Sequence, residues 1–353
     1  MAFSAGELTN IANAALDFYV KGPAFQQHIQ EKPLLNAMMA KQKTFPGGKG
    51  KISLPVQFAV DKTGFQGYTH NDTVSYINPA NIKRAEYSWK EIHSGISLTM
   101  TELKHDGISV VDSMNSASTS NHSERDITVL TGLLDNKLSD MSEAWAQSFD
   151  TMLHLDGTQD AKQVPGITSL ITSHTDGTAP VTGVVGGIDR ATTPLWRNRS
   201  RTGTSKITSS PSLQTLTKFL RGESRQLRRY GGRPDLVICG SGFIEALEAE
   251  IHEKGTYTDA GFAKGTNDIG MTEITMRGIG KFVYDPTLDD QAKSKFAYFI
   301  DTKNVFLDVM EGEDRKTHNP ARPATQYVLY RAMTWTGALV ARQLNGCGVY
   351  EVA

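Results

Sequence analysis

The chain has 353 residues, of which 39% are hydrophobic and 21% are charged, and its formal net charge at pH 7 is -1. This length is enough for two average domains or one elaborate domain, and the apolar fraction is too high for an intrinsically disordered chain. The balanced charge argues against a dedicated nucleic-acid binder, whose domain would be strongly basic. The balanced charge is compatible with a protein that encloses nucleic acid without binding it tightly.

The first residues, MAFSAGELTNIANAALDFYVKG, lack the basic start and the long apolar core of a secretory signal peptide. No window approaches the roughly 18 apolar residues of a membrane span. We therefore expect no membrane partner and synthesis in a cytoplasm. The two cysteines, Cys239 and Cys347, are far apart in the sequence. Both are predicted to be small buried residues in a reducing compartment.

In chain order, short helices are predicted over 5–20 and 33–43, followed by strands over 45–58 and 84–101. The two strands enclose a polar stretch that is unusually long for a loop of a compact domain. This stretch carries three aromatic residues, Phe65, Tyr68 and Tyr76. We expect an extended hairpin whose tip lies on another surface, and these three residues are candidate subunit contacts.

The strongest local signal is an amphipathic helix that begins at Ser123, a predicted N-cap, and ends near Gly157. Its apolar residues recur every three or four positions and form one continuous stripe. They are Ile127, Leu130, Leu134, Leu138, Met141, Trp145, Phe149 and Met152. At 1.5 Å per residue such a helix is about 45 Å long, which is typical of a structural spine.

Residues 157–210 are rich in Gly, Thr, Ser and Asp, and they contain the stretch GGIDRATTPLWRN at 186–198. Trp196 is followed by three arginines, Arg197, Arg199 and Arg201. Tryptophan and arginine are enriched in protein–protein hot spots, so these four residues are further candidate subunit contacts. The alternative is that Trp196 fills the core of its own domain, and the sequence does not decide between the two.

From residue 210 the pattern changes to an α/β layer. A helix is predicted over 210–232, with Ser210 as N-cap and Pro211 at its first position. A buried strand, PDLVICG, and a second helix, SGFIEALEAEIHEKG, follow. The polar side of the first helix carries a second basic cluster, interpreted as a solvated face: Arg225, Arg228, Arg229 and Arg233. Strands are predicted over 271–284, over 296–309 and in the C-terminal stretch.

The sequence offers no convincing catalytic or metal motif. Its nine histidines form neither H-x-x-x-H nor H-E-x-x-H. CGSGF at 239–243 resembles a nucleophile elbow, but Ser241 is flanked directly by glycines, so a tight turn into a helix is the better interpretation. GVVGG at 183–187 lacks the flanking strand and helix of a dinucleotide site. We expect a protein that is not an enzyme, with no catalytic residues, cofactor or metal.

The order of these elements resembles that of the major capsid protein of tailed phages, with its Hong Kong 97-type capsid fold. The stretches PGITSLITS, GGIDRATTPLWRN, FIDTKNVFLDV and TQYVLYRAMTWTGALVARQLNGCGVYEV are similar to patterns of one branch of these proteins. The resemblance implies an α+β fold in five segments. These are an N-terminal arm (1–45), an extended E-loop hairpin (46–97), a P-domain with the spine helix at about 124–155 (98–165), an A-domain that includes the Gly/Thr-rich loop (166–297), and returning P-domain strands (298–353).

The function implied by this resemblance is self-assembly, through pentamers and hexamers, into an icosahedral shell around phage double-stranded DNA. The shell would be assembled in the cytoplasm of a bacterial host and become the virion capsid. Implied partners are further copies of the chain, a portal protein and packaged DNA bound without sequence specificity. Whether a decoration protein also binds the shell stays open. Because the arm and the hairpin begin almost at Met1, we expect a separate scaffold protein. Lys62 and Asn319 match no cross-linking motif, so a noncovalent shell is expected.

Two other functions stay open. An encapsulin-type nanocompartment shell shares the fold and holds a cargo enzyme, and the neighbouring genes would separate it from a phage capsid. A soluble α/β enzyme built on residues 210–255 would need a catalytic constellation that the sequence does not show.

Overall fold

The computed structural model describes residues 29–58, 60, 62–78, 81–99, 101, 124–174, 180–253, 273–276, 279–318 and 328–353. The chain divides into two compact units, and each is described by itself. The smaller unit comprises Met1–Gln30, Ile92–Ser148 and Arg315–Trp335, and the larger comprises Glu31–Glu91, Phe149–Asp314 and Thr336–Ala353. The helix predicted over 5–20, the predicted cap Ser123 and the cross-link candidate Asn319 lie outside the described residues.

The helices are α1 (Pro33–Ala40), α2 (Glu124–His154), α3 (Ile167–Leu170), α4 (Thr215–Arg228), α5 (Ser241–Glu253) and α6 (Pro286–Asp290), with a 3-10 helix at Pro194–Trp196. The strands are β1 (Lys43–Phe45), β2 (Ile52–Gln57), β3 (Ile82–Tyr87), β4 (Lys90–Thr99), β5 (Val184–Val185), β6 (Ile188–Asp189), β7 (Arg199–Arg201), β8 (Leu236–Cys239), β9 (Glu273–Met276), β10 (Gly280–Tyr284), β11 (Phe296–Ile300), β12 (Val305–Met310), β13 (Lys316–His318), β14 (Val328–Ala341) and β15 (Gly348–Glu351). This mixture of segregated helices and sheets confirms the α+β class.

A six-stranded sheet forms the centre of the larger unit, in the order β7-β15-β11-β8-β10-β9. Strand β11 runs antiparallel to both β15 and β8, whereas β10 is parallel to β8 and β15 is parallel to β7. Helices α4 and α5 pack on this sheet through one continuous apolar cluster. The aromatic rings of Phe282, Phe299, Tyr350 and Phe219 meet edge to face in succession through this core.

A second set of strands involves β14, whose residues belong to both units. In the larger unit, residues 337–341 of β14 pair antiparallel with β12, and β12 pairs in parallel with β1. In the smaller unit, residues 332–334 of β14 pair antiparallel with β13, and β4 also pairs with β14. The C-terminal stretch of the sequence is thus strand, as its β-branched and aromatic composition predicts.

The long helix predicted from the apolar stripe is α2, which has 31 residues. Within its described side chains, Met141, Trp145, Phe149 and Met152 are buried, as the stripe requires. The polar side of the helix includes exposed Asp140. Among the described residues, no helix combines the length and the apolarity that crossing a membrane would require.

The start of α4 differs from the prediction. The helix begins at Thr215, after a separate turn at Ser210–Gln214 and a left-handed Gln214 at φ 51°. Ser210 is therefore not its N-cap. The first turn is capped by the carboxylate of Glu250 in α5, which is fully buried and accepts the N–H groups of Leu216 and Thr217, each at 2.8 Å. A buried carboxylate at a helix N-terminus satisfies donors that have no partner within the helix.

Strand boundaries also differ from the sequence prediction. The stretch 84–101 is two strands, β3 and β4, separated at Ser88 and Trp89, where the Trp89 indole donates to the carbonyl of Lys49. The stretches 271–284 and 296–309 each contain two strands. In the second, Asp301 forms the intervening turn, because its backbone carbonyl accepts the N–H groups of Asn304 and Val305.

Candidate functional site

The predicted hairpin is formed by β2 and β3, which pair antiparallel from Ile52 opposite Tyr87 to Gln57 opposite Ile82. Its tip, residues 58–81, carries the three aromatic candidates. Phe65 is 93% exposed, Tyr68 is 74% exposed and Tyr76 is 94% exposed. Side chains of this size exposed together on one loop are unusual for an isolated soluble domain, and such apolar surface marks interaction sites.

The tip has local order even though its aromatic residues are exposed. The carbonyl of Lys62 accepts the N–H of Phe65, and the Asp72 carboxylate accepts both the N–H and the hydroxyl of Thr69. These hydrogen bonds hold the pKa of Asp72 below its usual value. Two turns, Lys62–Phe65 and Thr69–Asp72, thus give the tip local order while its aromatic rings stay exposed.

The base of the hairpin is held by the opening residues of GGIDRATTPLWRN. Strands β5 and β6 form a small hairpin whose turn is Gly186–Gly187, and both glycines have positive φ, 59° and 74°. The carbonyl of Gly186 accepts the N–H of Glu86 in β3 at 2.9 Å. A Cβ at Gly186 would lie 3.1–3.2 Å from the Tyr87 ring and the Ala85 Cβ. Glycine permits both the left-handed turn and the close approach to β3.

Trp196 lies in the core of the larger unit and is 1% exposed. Its indole N–H donates to the carbonyl of Val185 at 3.1 Å, and its ring packs edge to face against Phe58 at the end of β2. The sequence left open whether Trp196 contacts another subunit or fills the core of its own domain, and this burial agrees with the core position. Any influence of Trp196 on subunit contacts would act through the loop and the hairpin base that it holds, and that role stays a prediction.

The three arginine candidates make different contacts within the subunit. Arg197 donates to the carbonyls of Arg190 and Ala191. The guanidinium of Arg199 makes a two-pronged ion pair with Glu223, which also accepts the hydroxyl of Tyr350. Arg201 is exposed, and its guanidinium lies 5.5 Å from the centroid of the Phe219 ring. The Glu223 carboxylate raises the pKa of Arg199 through its hydrogen bonds.

Arg190 is a buried cation that sequence reasoning did not select. It is 1% exposed and donates to the hydroxyl of Thr172 and the carbonyl of Leu170. Burial lowers the pKa of Arg190 to about 10, which still leaves it charged at neutral pH. These hydrogen bonds attach the end of β6, which follows the Gly186–Gly187 turn, to α3 and the residues after it. They therefore stabilise the loop that supports the hairpin.

A fully buried group of ionisable residues lies at the end of the spine helix α2. Asp150, His154 and Asp285 bring their ligand-type atoms within 4.8 Å of one another. His154 Nδ1 bonds the carbonyl of Asp150 at 2.8 Å, and Nε2 bonds the carboxylate of Asp285 at 2.8 Å. The carbonyl of Asp150 can only accept, so Nδ1 carries a hydrogen, and the raised pKa of His154 favours a hydrogen on Nε2 as well.

The carboxylates of this group hold neighbouring segments. Asp150 accepts the N–H of Leu35 in α1 and the hydroxyl of Thr287, while Asp285 caps α6 by accepting the N–H of Thr287. Burial alone lowers the pKa of His154, but the hydrogen bond and charge of Asp285, together with the charge of Asp150, outweigh burial and raise it. Burial raises the pKa of Asp150. The oxygen and nitrogen atoms are engaged with one another, so the geometry is that of a structural ion cluster that ties α1, α2 and α6.

The CGSGF stretch is the tight strand-to-helix turn that its glycines predict. Ser241 is the first residue of α5, and its backbone N–H donates to Asp289. A Cβ at Gly240 would lie 2.3 Å from the carbonyl oxygen of Ser294. The preceding Cys239 is fully buried, as is Cys347, and burial raises the pKa of both thiols. Neither cysteine is suited to nucleophilic chemistry, because the thiolate is the reactive form.

The comparisons with known proteins concern the fold. No protein-family model matches the chain, and no curated protein matches it either. Among solved structures, the capsid asymmetric unit of cyanophage A-1(L) is 15% identical in sequence, with a TM-score of 0.61 over 94% of this chain and 95% of its own. The chain has the fold of tailed-phage capsid proteins.

Two further capsid structures agree with this result. The capsid of a native GTA particle is 11% identical, with a TM-score of 0.53 over 97% of this chain and 98% of its own. The capsid of the Myoviridae phage XM1 is 9% identical, with a TM-score of 0.50 over 95% of this chain and 98% of its own. The match extends over nearly the whole chain in each case, so the capsid fold accounts for the hairpin, the spine helix and the α/β layer together.

Proposed function

We propose that this chain is the major capsid protein of a tailed phage and self-assembles into the icosahedral shell that encloses the phage's double-stranded DNA. The observation that carries this proposal is the capsid fold over nearly the whole chain. Besides the fold, the surface of the subunit gives a second, physical argument for the proposal.

The exposed aromatic tip supplies that argument. Phe65 and Tyr76 leave almost their entire side chains in water in the single subunit. Burying a large apolar side chain contributes about 1.5–3 kcal/mol, and a stable interface buries about 1,600 Å² in total. A hairpin that carries exposed rings on a well-held base is suited to bury them on a neighbouring copy. Pentamers and hexamers of the chain would provide such neighbours.

The remaining partners belong to the same proposal. A portal protein, a separate scaffold protein and packaged DNA bound without sequence specificity are the expected partners of such a shell, and a decoration protein stays open. The shell would be assembled in the cytoplasm of the bacterial host and become the virion capsid. The chain would act as a structural subunit with no enzymatic activity.

The test is assembly. The chain would be expressed alone and together with the scaffold candidate encoded beside it, and both preparations would be examined by negative-stain electron microscopy. Closed shells of uniform diameter, or pentamers and hexamers that close when scaffold is added, support the proposal. A folded monomer that assembles in neither preparation contradicts it. Genes for a terminase and a portal beside this one favour the phage shell, whereas a single cargo gene favours the encapsulin-type alternative.

A further inference from the structure

The first arginine cluster of the sequence meets one member of the second, Arg229, in a cleft of the larger unit. The cleft has a volume of about 610 Å³ and lies between β7 and the C-terminal end of α4. Arg197, Arg199 and Arg201 lie on one side, and Arg229 and Tyr230 lie on the other. The sequence suggested subunit contacts for the first cluster and a solvated helix face for the second, and it did not connect the two.

The lining of this cleft is strongly cationic. It contains four arginines and one carboxylate, that of Glu223. Glu223 is already engaged with Arg199 and with the hydroxyl of Tyr350. Within the described part of the chain, no carboxylate lies within ion-pair distance of Arg197, Arg201 or Arg229. Among the described residues, these three arginines therefore bring positive charge to the cleft without a carboxylate partner, and Arg197 also donates to the backbone carbonyls of Arg190 and Ala191.

The spacing of the arginines is regular. Arg197 has an extended backbone and Arg199–Arg201 form β7, so the three arginines occupy alternate positions of an extended segment. Alternate side chains of a strand point to the same face and repeat about every 6.8 Å. The intervening Asn198 and the following Thr202 are buried, 4% and 3% exposed. The intervening Ser200 is half-buried and also lines the cleft, and the three arginines reach the cleft from alternate positions of this segment.

Aromatic rings accompany the cations on both sides. The guanidinium of Arg229 lies 5.5 Å from the centroid of the Tyr230 ring, and Tyr230 is 51% exposed. Arg201 lies at the same distance from the ring of Phe219. A cationic groove next to an exposed aromatic ring is the arrangement by which proteins bind nucleic-acid strands, because the charges track the phosphates and the ring stacks on a base.

We propose that this cleft binds the phosphodiester backbone of nucleic acid. The arginines at alternate positions and the half-exposed Tyr230 favour a phosphodiester chain over an acidic peptide. An acidic peptide would use the arginine charges but would not need the Tyr230 ring. Contacts to phosphate carry no base information, so such a site gives weak binding that does not depend on sequence. The inference rests on the proposed function, because a shell around DNA would bring phosphodiesters to this surface.

The test uses the full chain and labelled oligonucleotides of about 12 units, single-stranded and duplex, in fluorescence anisotropy titrations. Salt would be varied from about 20 to about 200 mM, because each phosphate contact contributes about -0.7 for single strands and about -0.9 for duplex to the slope of log affinity against log salt. Three contacts give a slope of about -2 or about -3 respectively. The slopes give the number of phosphate contacts, and the dissociation constants of the two oligonucleotides at one salt concentration show which form of nucleic acid binds better.

Two variants and one control locate the binding. Arg201→Ala and Arg229→Ala should each weaken binding and reduce the slope by about 0.7–0.9. Arg84→Ala, an exposed arginine of β3 outside the cleft, should leave both unchanged. Thermal unfolding checks that the variants fold, and Arg199 is left intact because it pairs with Glu223.

The outcomes separate this inference from the proposed function. Shells that assemble from a chain that binds neither oligonucleotide overturn the cleft and leave the capsid proposal standing. A chain that binds oligonucleotides through Arg201 and Arg229 but never assembles supports the cleft and contradicts the capsid proposal. If a polyglutamate peptide of equal charge competes as well as the oligonucleotide, the cleft is a docking site for an acidic protein segment and the inference is wrong. Equal losses in Arg84→Ala and Arg201→Ala also overturn it, since binding would then be a property of the whole surface.

Discussion

The rings of Phe58 and Trp196 meet edge to face, with 5.7 Å between their centroids and 84° between their planes. Phe58 follows the first strand of the hairpin directly, and Trp196 ends the loop that follows β6. Edge-to-face pairs are worth about 0.5–1.5 kcal/mol beyond the area that they bury. This contact therefore connects the position of the hairpin base to the packing of a loop 138 residues further along the chain.

The first prediction concerns Trp196. Trp196→Ala should destabilise the subunit by about 3–5 kcal/mol, because it removes a fully buried ring. Trp196→Phe should cost less, since it keeps a ring against Phe58 and loses the hydrogen bond to Val185 and only part of the buried ring volume. Soluble yield and urea unfolding of the three chains measure the effect. A Trp196→Ala protein that is as stable as the parent and fails only in assembly would instead favour a direct subunit contact.

The second prediction compares the two glycines of the β5–β6 turn. Both have positive φ, but a Cβ at Gly187 meets nothing within 4 Å, whereas a Cβ at Gly186 presses on the hairpin base. Alanine at either position should cost about 1 kcal/mol of backbone strain. Gly186→Ala should cost about 1–2 kcal/mol more, as overpacking does. Denaturant unfolding of both variants gives the difference, and equal costs would mean that the turn does not press on β3.

The third prediction concerns the exposed tip. Replacing both Phe65 and Tyr76 by alanine should change the unfolding free energy by no more than about 0.5 kcal/mol, because the rings make few contacts within the subunit. The same change should impair assembly under the conditions that give shells from the parent chain. The matched control replaces Asn71 and Thr73, which are exposed polar residues of the same tip. If electron microscopy and light scattering show normal shells from the aromatic variant, the tip is not part of the subunit interface.

The fourth prediction concerns pH. The pKa of His154 is raised in the folded chain, so its contribution to stability is fully present below the unfolded value of about 6.5 and is lost as pH rises through the folded value. Stability should fall over this window by at most about 1.4 kcal/mol per pH unit. The raised pKa values of Asp150 and of the buried thiols of Cys239 and Cys347 act with the same sign, so the part of the slope that belongs to His154 is read from a variant that removes its charge partner.

Asp285→Asn tests this assignment. Removing one member of a buried ion pair costs about 3–5 kcal/mol, and the slope of stability against pH above pH 6.5 should shrink because His154 loses its main charge partner. Asp290→Asn, an exposed change in the same helix, should keep the parental slope. Urea unfolding between about pH 6 and about pH 9 measures both. An unchanged slope in Asp285→Asn would show that His154 is not the titrating group.

The sequence predicted the elements whose signal is local. The spine helix follows from apolar residues repeated along one face, of which Met141, Trp145, Phe149 and Met152 are buried. The hairpin follows from two strands around a long polar stretch, and its three aromatic rings are as exposed as a contact surface requires. Each of these patterns is complete within a few tens of residues.

The features that the sequence did not predict depend on distant partners. Ser210 looked like a helix cap, but Glu250, 40 positions later, supplies the cap. The sequence did not single out His154 among its nine histidines, because its partner Asp285 lies 131 residues further along the chain. Trp196 stayed undecided because Phe58 is likewise remote in the chain. The cleft arose from two arginine runs that only the fold brings together.

Strand β15 has a consequence for biosynthesis. It lies between β7 and β11, and it is translated after every other strand of its sheet. Until the ribosome has released residues 348–351, β7 lacks its neighbour in the sheet and β11 has one open edge. Open edges pair with other chains, so nascent subunits on one message are exposed to misassociation during this interval. We expect chaperones to engage the chain at this stage, and completion of β15 to end that dependence.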